Sequence, residues 1–232
     1  MIDLSQVAHN IKYVSSFKDL ISNSFNNDVN AMCWKRDLIG DFSEIVKKLK
    51  LDDNMAVINE EKLCELKLSE DGQLAREVIL NDLKALKAHG ASPILNLIKY
   101  YERDDTHPFF ATDVYSFHVD RSPIPTDTFL CTYYGESSEI LPNSQGIQKV
   151  LIPELREKLK TLYNGAEEGF ELFLKENFFD LHYQPKAFAQ PISLALGNLW
   201  KLAVDYPESN TLPCIHRAPK EKQGEHRLLL IC

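Results

Sequence analysis

The chain has 232 residues, 26 Lys and Arg against 34 Asp and Glu, a formal net charge of −8 and a pI near 5.4. That length suffices for one large domain or two small ones, and 44% hydrophobic with 26% charged residues is ordinary for a globular protein. The acidic balance excludes bulk attraction to nucleic acid or to an anionic membrane surface, so neither is expected as a partner.

The five cysteines (Cys33, Cys64, Cys131, Cys214 and Cys232) are odd in number, widely spaced and free of CxxC pairs, a pattern of reduced thiols rather than a disulfide framework. His9, Asn10 and Lys12 interrupt any signal-peptide apolar stretch, and no apolar run approaches the length of a membrane-spanning helix. A cytoplasmic protein is expected.

Residues 1–110 read as a mainly helical layer. Leu4, Val7, Ile11, Val14 and Ile21 keep an approximate 3-4 spacing that predicts a first helix packed on its own domain. Asn30 to Arg36 reads as a short strand. Asp41 or Ser43 caps a helix running to about Leu49. A longer helix spans Asp71 to Ala88 and stops at Gly90. Ser92-Pro93 opens another, holding Leu95, Ile98 and Lys99. No linker or repeat divides the chain, so 1–232 reads as one domain.

From about residue 111 the period changes to two, and 111–232 reads as a β-rich core. Tyr115, Phe117 and Val119 alternate with Ser116, His118 and Asp120. A Ser/Pro turn over Arg121 to Thr126 leads to a second strand, Thr128 to Tyr134, closed by Gly135. A helical insertion occupies about 153–178, starting at Pro153. Ile192 to Trp200 has strand or turn character, Pro213 to Arg217 forms a short strand, and His226 to Cys232 a strongly apolar last one. Strands broken by one helical insertion suggest a curled antiparallel sheet with helices outside.

The Tyr115 strand carries an imidazole and a carboxylate two residues apart on one face. In Cys214-Ile215-His216-Arg217, His216 and Cys214 share a face opposite Ile215. His118, Asp120 and His216 together make a His-x-Asp…His set. Two imidazoles and one carboxylate on one side of a metal leave three positions open, the facial triad of non-haem Fe(II) oxygenases. Arg227 shares a face of the last strand with Leu229 and Ile231, and an Arg on a buried face requires an anion, which its guanidinium grips in bidentate fashion.

These residues, His-x-Asp, a distal His and an Arg shortly after it, resemble the Fe(II)/2-oxoglutarate-dependent dioxygenase superfamily with its double-stranded β-helix (jelly-roll, cupin-like) fold. Phe117-His118-Val119-Asp120, Leu130 to Gly135, Glu139 to Pro142 and His216-Arg217-Ala218-Pro219 with Arg227 to Leu230 are similar to an uncharacterised bacterial family of unknown function; Ala31 to Arg36 extends the likeness toward the N-terminus. The resemblance implies that His118, Asp120 and His216 bind Fe(II), that Arg227 binds the 5-carboxylate of 2-oxoglutarate, and that Tyr133, or else Tyr134, donates a hydrogen bond to this cosubstrate.

Two other metal readings stand beside it: a closed zinc site that adds Cys214 to His118, Asp120 and His216, and a non-catalytic cupin-like metal-binding or sensor protein. A helical partner-binding protein is a further alternative. Arg121 and Arg217 follow proposed ligands directly, so alternation turns them away from the metal. His107 reads as a structural loop residue, His182 as an outlying candidate for substrate contact, and His226 has no reading. The expected fold is α+β, a distorted double-stranded β-helix with an N-terminal helical layer. No pattern selects a small-molecule or a protein substrate, or an oligomeric state.

Overall fold

The computed structural model describes residues 10–26, 28–220, 222 and 224–232. Helices form where capping signals and apolar spacing agree. Asp41 accepts from the Ser43 and Glu44 amides at the start of α2 (Phe42–Lys48), Asn59 caps α3 (Glu60–Glu65) and Ser69 caps α4 (Glu70–Ala88). In α4, Ala75, Ile79, Leu83 and Leu86 make one buried stripe, and Gly90, at φ +95°, follows the helix end.

The strands are β1 (Ile11–Val14), β2 (Ala31–Trp34), β3 (Met55–Val57), β4 (Ile94–Ile98), β5 (Phe117–His118), β6 (Asp127–Tyr134), β7 (Glu139–Ile140), β8 (Gly146–Gln148), β9 (His182–Pro185), β10 (Ile192–Ser193), β11 (Leu199–Ala203), β12 (His216–Arg217) and β13 (Arg227–Ile231). They form two curled sheets. A seven-stranded sheet runs β1-β2-β11-β6-β13-β4-β3, and a six-stranded sheet runs β10-β7-β12-β5-β9-β8. Neighbours are antiparallel except for the parallel pair β1 and β2. The molecule is therefore mixed α/β, compatible with a β-sandwich or jelly-roll.

Period-two alternation sorts the core into layers. From β6 and β13, Phe129, Cys131, Tyr133, Leu228 and Leu230 join the α2–α4 side chains in one cluster. Leu130 and Leu229 join Ile140, Leu194, Trp200 and Cys214 in a second. Phe117, Val119, Leu141 and Ile215 pack together in a third, against Leu181 and Tyr183.

Two segments read as helix are strands. Ile11–Val14 pairs in parallel with β2, while Leu4 and Val7 lie outside the described residues. The apparent 3-4 spacing spans a break: Ser16 accepts from the Asp19 amide and caps a separate short helix, α1 (Phe17–Ser22). Ile94–Ile98 lies between β13 and β3 rather than in a helix after Pro93. Its run of aliphatic side chains is too short to separate a doubly covered strand from a buried helix by periodicity. Among the described residues, the first 110 positions thus supply four strands as well as the four helices α1–α4.

The insertion is wider than its helices. Between β7 and β10 lie β8, α5 (Pro153–Lys160), α6 (Phe170–Glu176) and β9, and the chain returns to extend the six-stranded sheet beyond β5. Its helices enclose their own cluster of Phe110, Val150, Leu159, Phe170, Leu174 and Phe179. No helix among the described residues is long and apolar enough to cross a membrane.

Candidate metal centre

Strand register places three imidazoles in one row. His118 is the direct antiparallel partner of His216 on β12 and of His182 on β9. Directly opposed residues share a face, so all three side chains project to the same side of the sheet. The ring centroids of His118 and His216 are 4.6 Å apart, and those of His118 and His182 are 5.9 Å apart. Asp120, two residues past His118, reaches the first pair. One donor atom each from His118, Asp120 and His216 lies within 4.8 Å of the others.

The backbone fixes how these rings present themselves. His118 Nδ1 lies 2.8 Å from the Ser116 carbonyl, and His216 Nδ1 lies 3.2 Å from the Cys214 carbonyl. A carbonyl only accepts, so both Nδ1 atoms carry the proton and both Nε2 atoms present a lone pair when the ring is neutral. Those Nε2 atoms face the Asp120 carboxylate, at 3.9 Å from Oδ1 for His118 and 3.7 Å from Oδ2 for His216. Both separations are too long for a hydrogen bond. They match two donors sharing one cation, which at about 2.1 Å from each allows up to about 4.2 Å between them.

Electrostatics agree with that geometry. Burial, with the neighbouring His216 imidazole, brings the His118 pKa down to about 4, so its ring is a neutral ligand at physiological pH. Burial alone would raise Asp120. The His216 imidazole, the Thr128 hydroxyl donating to Oδ2 at 2.6 Å, and His118 together hold its carboxyl below the ordinary value. An anionic carboxylate facing two lone pairs is a site for a divalent cation, and these residues fit one.

Arg227 lies on the inner face of β13, 7% exposed. Its Nη2 donates to Ser138 Oγ at 2.7 Å and Thr132 Oγ1 at 3.1 Å, while its buried Nε has no hydrogen-bond partner. No carboxylate pairs with it among the described residues. Burial lowers its pKa against the opposing effect of the Tyr101 and Tyr115 hydroxyls. Arg227, Tyr101 and Tyr115 line a cavity of about 30 Å³, room for about two waters. His118, Asp120 and His182 line a separate cleft of about 260 Å³ with Arg121, Phe178 and Leu181. The two share no lining residue, so the structure unites the three proposed metal ligands and leaves Arg227 in a neighbouring cavity.

Tyr133 is not beside this site. It occupies the opposite face of β6, where its hydroxyl donates to Asp82 Oδ2 at 2.6 Å and its ring stacks on Phe42. Tyr134 packs against the same helical-side cluster. Alternation turns Thr128 and Thr132 to the sandwich interior, where they contact Asp120 and Arg227; the register shift opposite Leu228 and Leu229 then breaks the alternation, and Tyr133 and Tyr134 both fall on the helical side. Cys214 faces inward as read, yet is fully buried in the apolar cluster and absent from the metal-competent group; burial raises its thiol pKa.

The flanking arginines do turn away. Arg121 pairs with Asp180 and Asp205, and Arg217 pairs with Glu139 at 2.7 Å while lying over the Phe117 ring. His107 packs on Phe109 and Phe179. His226 lines the Arg227 cavity. The alternation of β6 made Thr128 and Thr132 findable. His182, the outlying candidate for substrate contact, does line the cleft, although no local pattern states which strand the insertion returns to. No family of known proteins, no curated protein and no solved structure matches this chain.

Proposed function

We propose that this chain is an Fe(II)/2-oxoglutarate-dependent oxygenase of the hydroxylase type. The observation that carries the reading is the group His118, Asp120 and His216: two Nε2 lone pairs and a carboxylate gathered from adjacent strands, with both Nδ1 atoms anchored on backbone carbonyls.

Strand order supports a double-stranded β-helix. Numbering β4, β5, β6, β7, β10, β11, β12 and β13 as I to VIII, one sheet contains VI-III-VIII-I and the other V-IV-VII-II, the order produced by two interleaved Greek keys. In that frame the ligands come from II and VII, which pair directly, and Arg227 from VIII. Iron and 2-oxoglutarate, when bound, would activate O₂ as the oxidant. The chain's own residues hold and orient: Thr128 fixes Asp120, Ser116 and Cys214 fix the imidazole tautomers, and Arg227, whose Nε has no hydrogen-bond partner, offers its guanidinium to a carboxylate.

Anaerobic titration of Fe(II) and 2-oxoglutarate tests this. A weak visible charge-transfer band is expected in wild type, absent in His118→Ala and displaced to much higher 2-oxoglutarate concentration in Arg227→Ala. No band in wild type overturns the reading. The second reading, a cupin-like protein that binds metal without the cosubstrate, is favoured by the small, separate cavity at Arg227. It predicts metal binding with no such band.

A further inference from the structure

We infer that His182 is a ligand-positioning residue, whose imidazole hydrogen-bonds to a small anionic or oxygen-donor ligand held on the cleft side of the metal. The inference rests on the metal reading of His118, Asp120 and His216 and assigns a role to a residue outside that set.

Of the three metal-competent residues, His118 and Asp120 line the 260 Å³ cleft and His216 does not. The open coordination positions of a bound cation therefore face the cleft, away from His216. His182 lines the same cleft from the other side of His118, one strand further along the row. It is 95% buried, being 5% exposed, and its Nδ1 is sealed from solvent with no hydrogen-bond partner.

An unpaired buried polar atom costs on the order of 1–3 kcal/mol. A histidine kept only for packing would be satisfied or replaced by an apolar ring. The surroundings offer no substitute partner. Lys149 donates to the Ala111 carbonyl at 2.9 Å and to Ser116 Oγ at 2.7 Å, and Phe110 meets the imidazole as an edge contact at 6.4 Å. A neutral imidazole presents one N–H and one lone pair whichever tautomer it takes. With Nδ1 sealed, the nitrogen left to meet the cleft is Nε2, which can donate to an anion or to the oxygen of a metal-bound carboxylate, water or hydroxyl-bearing substrate. At 5.9 Å from the His118 ring it belongs to the second row around the metal, within reach of a ligand rather than of the ion.

The test uses Co(II)-loaded protein, with azide as the probe and the cobalt visible bands as the readout. Wild type is expected to bind Co(II) and then azide. His182→Leu is expected to bind Co(II) normally and azide about tenfold more weakly, the loss of one hydrogen bond to a charged ligand. His182→Gln, which keeps a polar group near the Nε2 position, is expected to recover most of that affinity. Equal azide affinity in His182→Leu and wild type overturns the inference and leaves the metal reading standing. Loss of Co(II) binding in a folded His182→Leu overturns it too, since His182 would then be a ligand or a support for one. No cobalt bands in wild type overturn both. Because the leucine variant risks misfolding, the wild type is also read directly. In Zn(II)-loaded, ¹⁵N-histidine-labelled protein, the imidazole resonance missing from the spectrum of His182→Gln must shift on azide addition. An unmoved resonance overturns the inference.

Discussion

Two buried ionic clusters lie in different layers of this molecule, and they are built on opposite terms. On the helical side, Arg36 forks onto Asp82, Nη1 donating to Oδ1 at 2.7 Å. Tyr133 donates to the same carboxylate, and Arg36 Nε closes the set on the Gly197 carbonyl at 2.7 Å. Every charge there has its counterpart. Burial would lower the Arg36 pKa, but the Asp82 carboxylate raises it. In the sandwich, His118, His216 and Asp120 turn lone pairs toward one another, and Arg227 and His182 each keep a buried nitrogen without a partner. The first cluster is finished by the protein alone. The second is left open by the protein. Ionic burial therefore does not by itself mark a functional site; incompleteness does.

The largest effect that could break this contrast is on the closed cluster. Asp82→Ala strands a buried guanidinium and should cost about 3–5 kcal/mol in urea unfolding, while the folded variant keeps wild-type Co(II) affinity. A change in Co(II) affinity would mean the clusters are not independent. Next comes the open cluster. A divalent ion at a hundred times its Kd should stabilise wild type by about 2.7 kcal/mol and leave His216→Ala unchanged, as read by thermal or urea unfolding.

A third test follows from protonation. With metal chelated away, folded His118 titrates near 4, below the value of about 6.5 for an exposed imidazole. The unfolded chain therefore binds the extra proton first. The His118 contribution should be full above pH 6.5, fall by about 2–3 kcal/mol as the pH drops to 4, and level off beneath that. His182, brought down to about 3 chiefly by burial, extends the same trend lower. His118→Ala should flatten the slope measured by urea unfolding at stepped pH. The smallest effect separates the two faces of β6. Tyr133→Phe should cost about 1 kcal/mol and leave the 2-oxoglutarate band intact. Loss of that band would return Tyr133 to the cosubstrate site.

Much of this was legible in residue order. The face assignment of Phe117, His118, Val119 and Asp120 stands, as do the caps at Asp41 and the helix ending before Gly90, because alternation and capping are local physics. What escaped was decided by distant partners. Ile11–Val14 is extended because β2 offers it a backbone edge, and Ile94–Ile98 because two strands enclose it. Tyr133, to which the resemblance gives a hydrogen bond to the cosubstrate, instead lies on the face of β6 opposite Thr132, where the distant Asp82 carboxylate takes its hydroxyl. His182 is named by the sequence only as an outlying candidate, because it reaches the site through the return path of the insertion, which no spacing encodes.

The position of β13 has a kinetic consequence. It sits between β6 and β4 in the interior of the seven-stranded sheet, yet both neighbours precede it by about a hundred residues or more of chain. Until it inserts, β4 and β6 each present a bare edge, and such non-local closure is slow. His216 likewise meets His118 only when β12 docks. A metal ion added during refolding would therefore find its ligands assembled late, and the onset of its binding would time the moment the chain closes on itself.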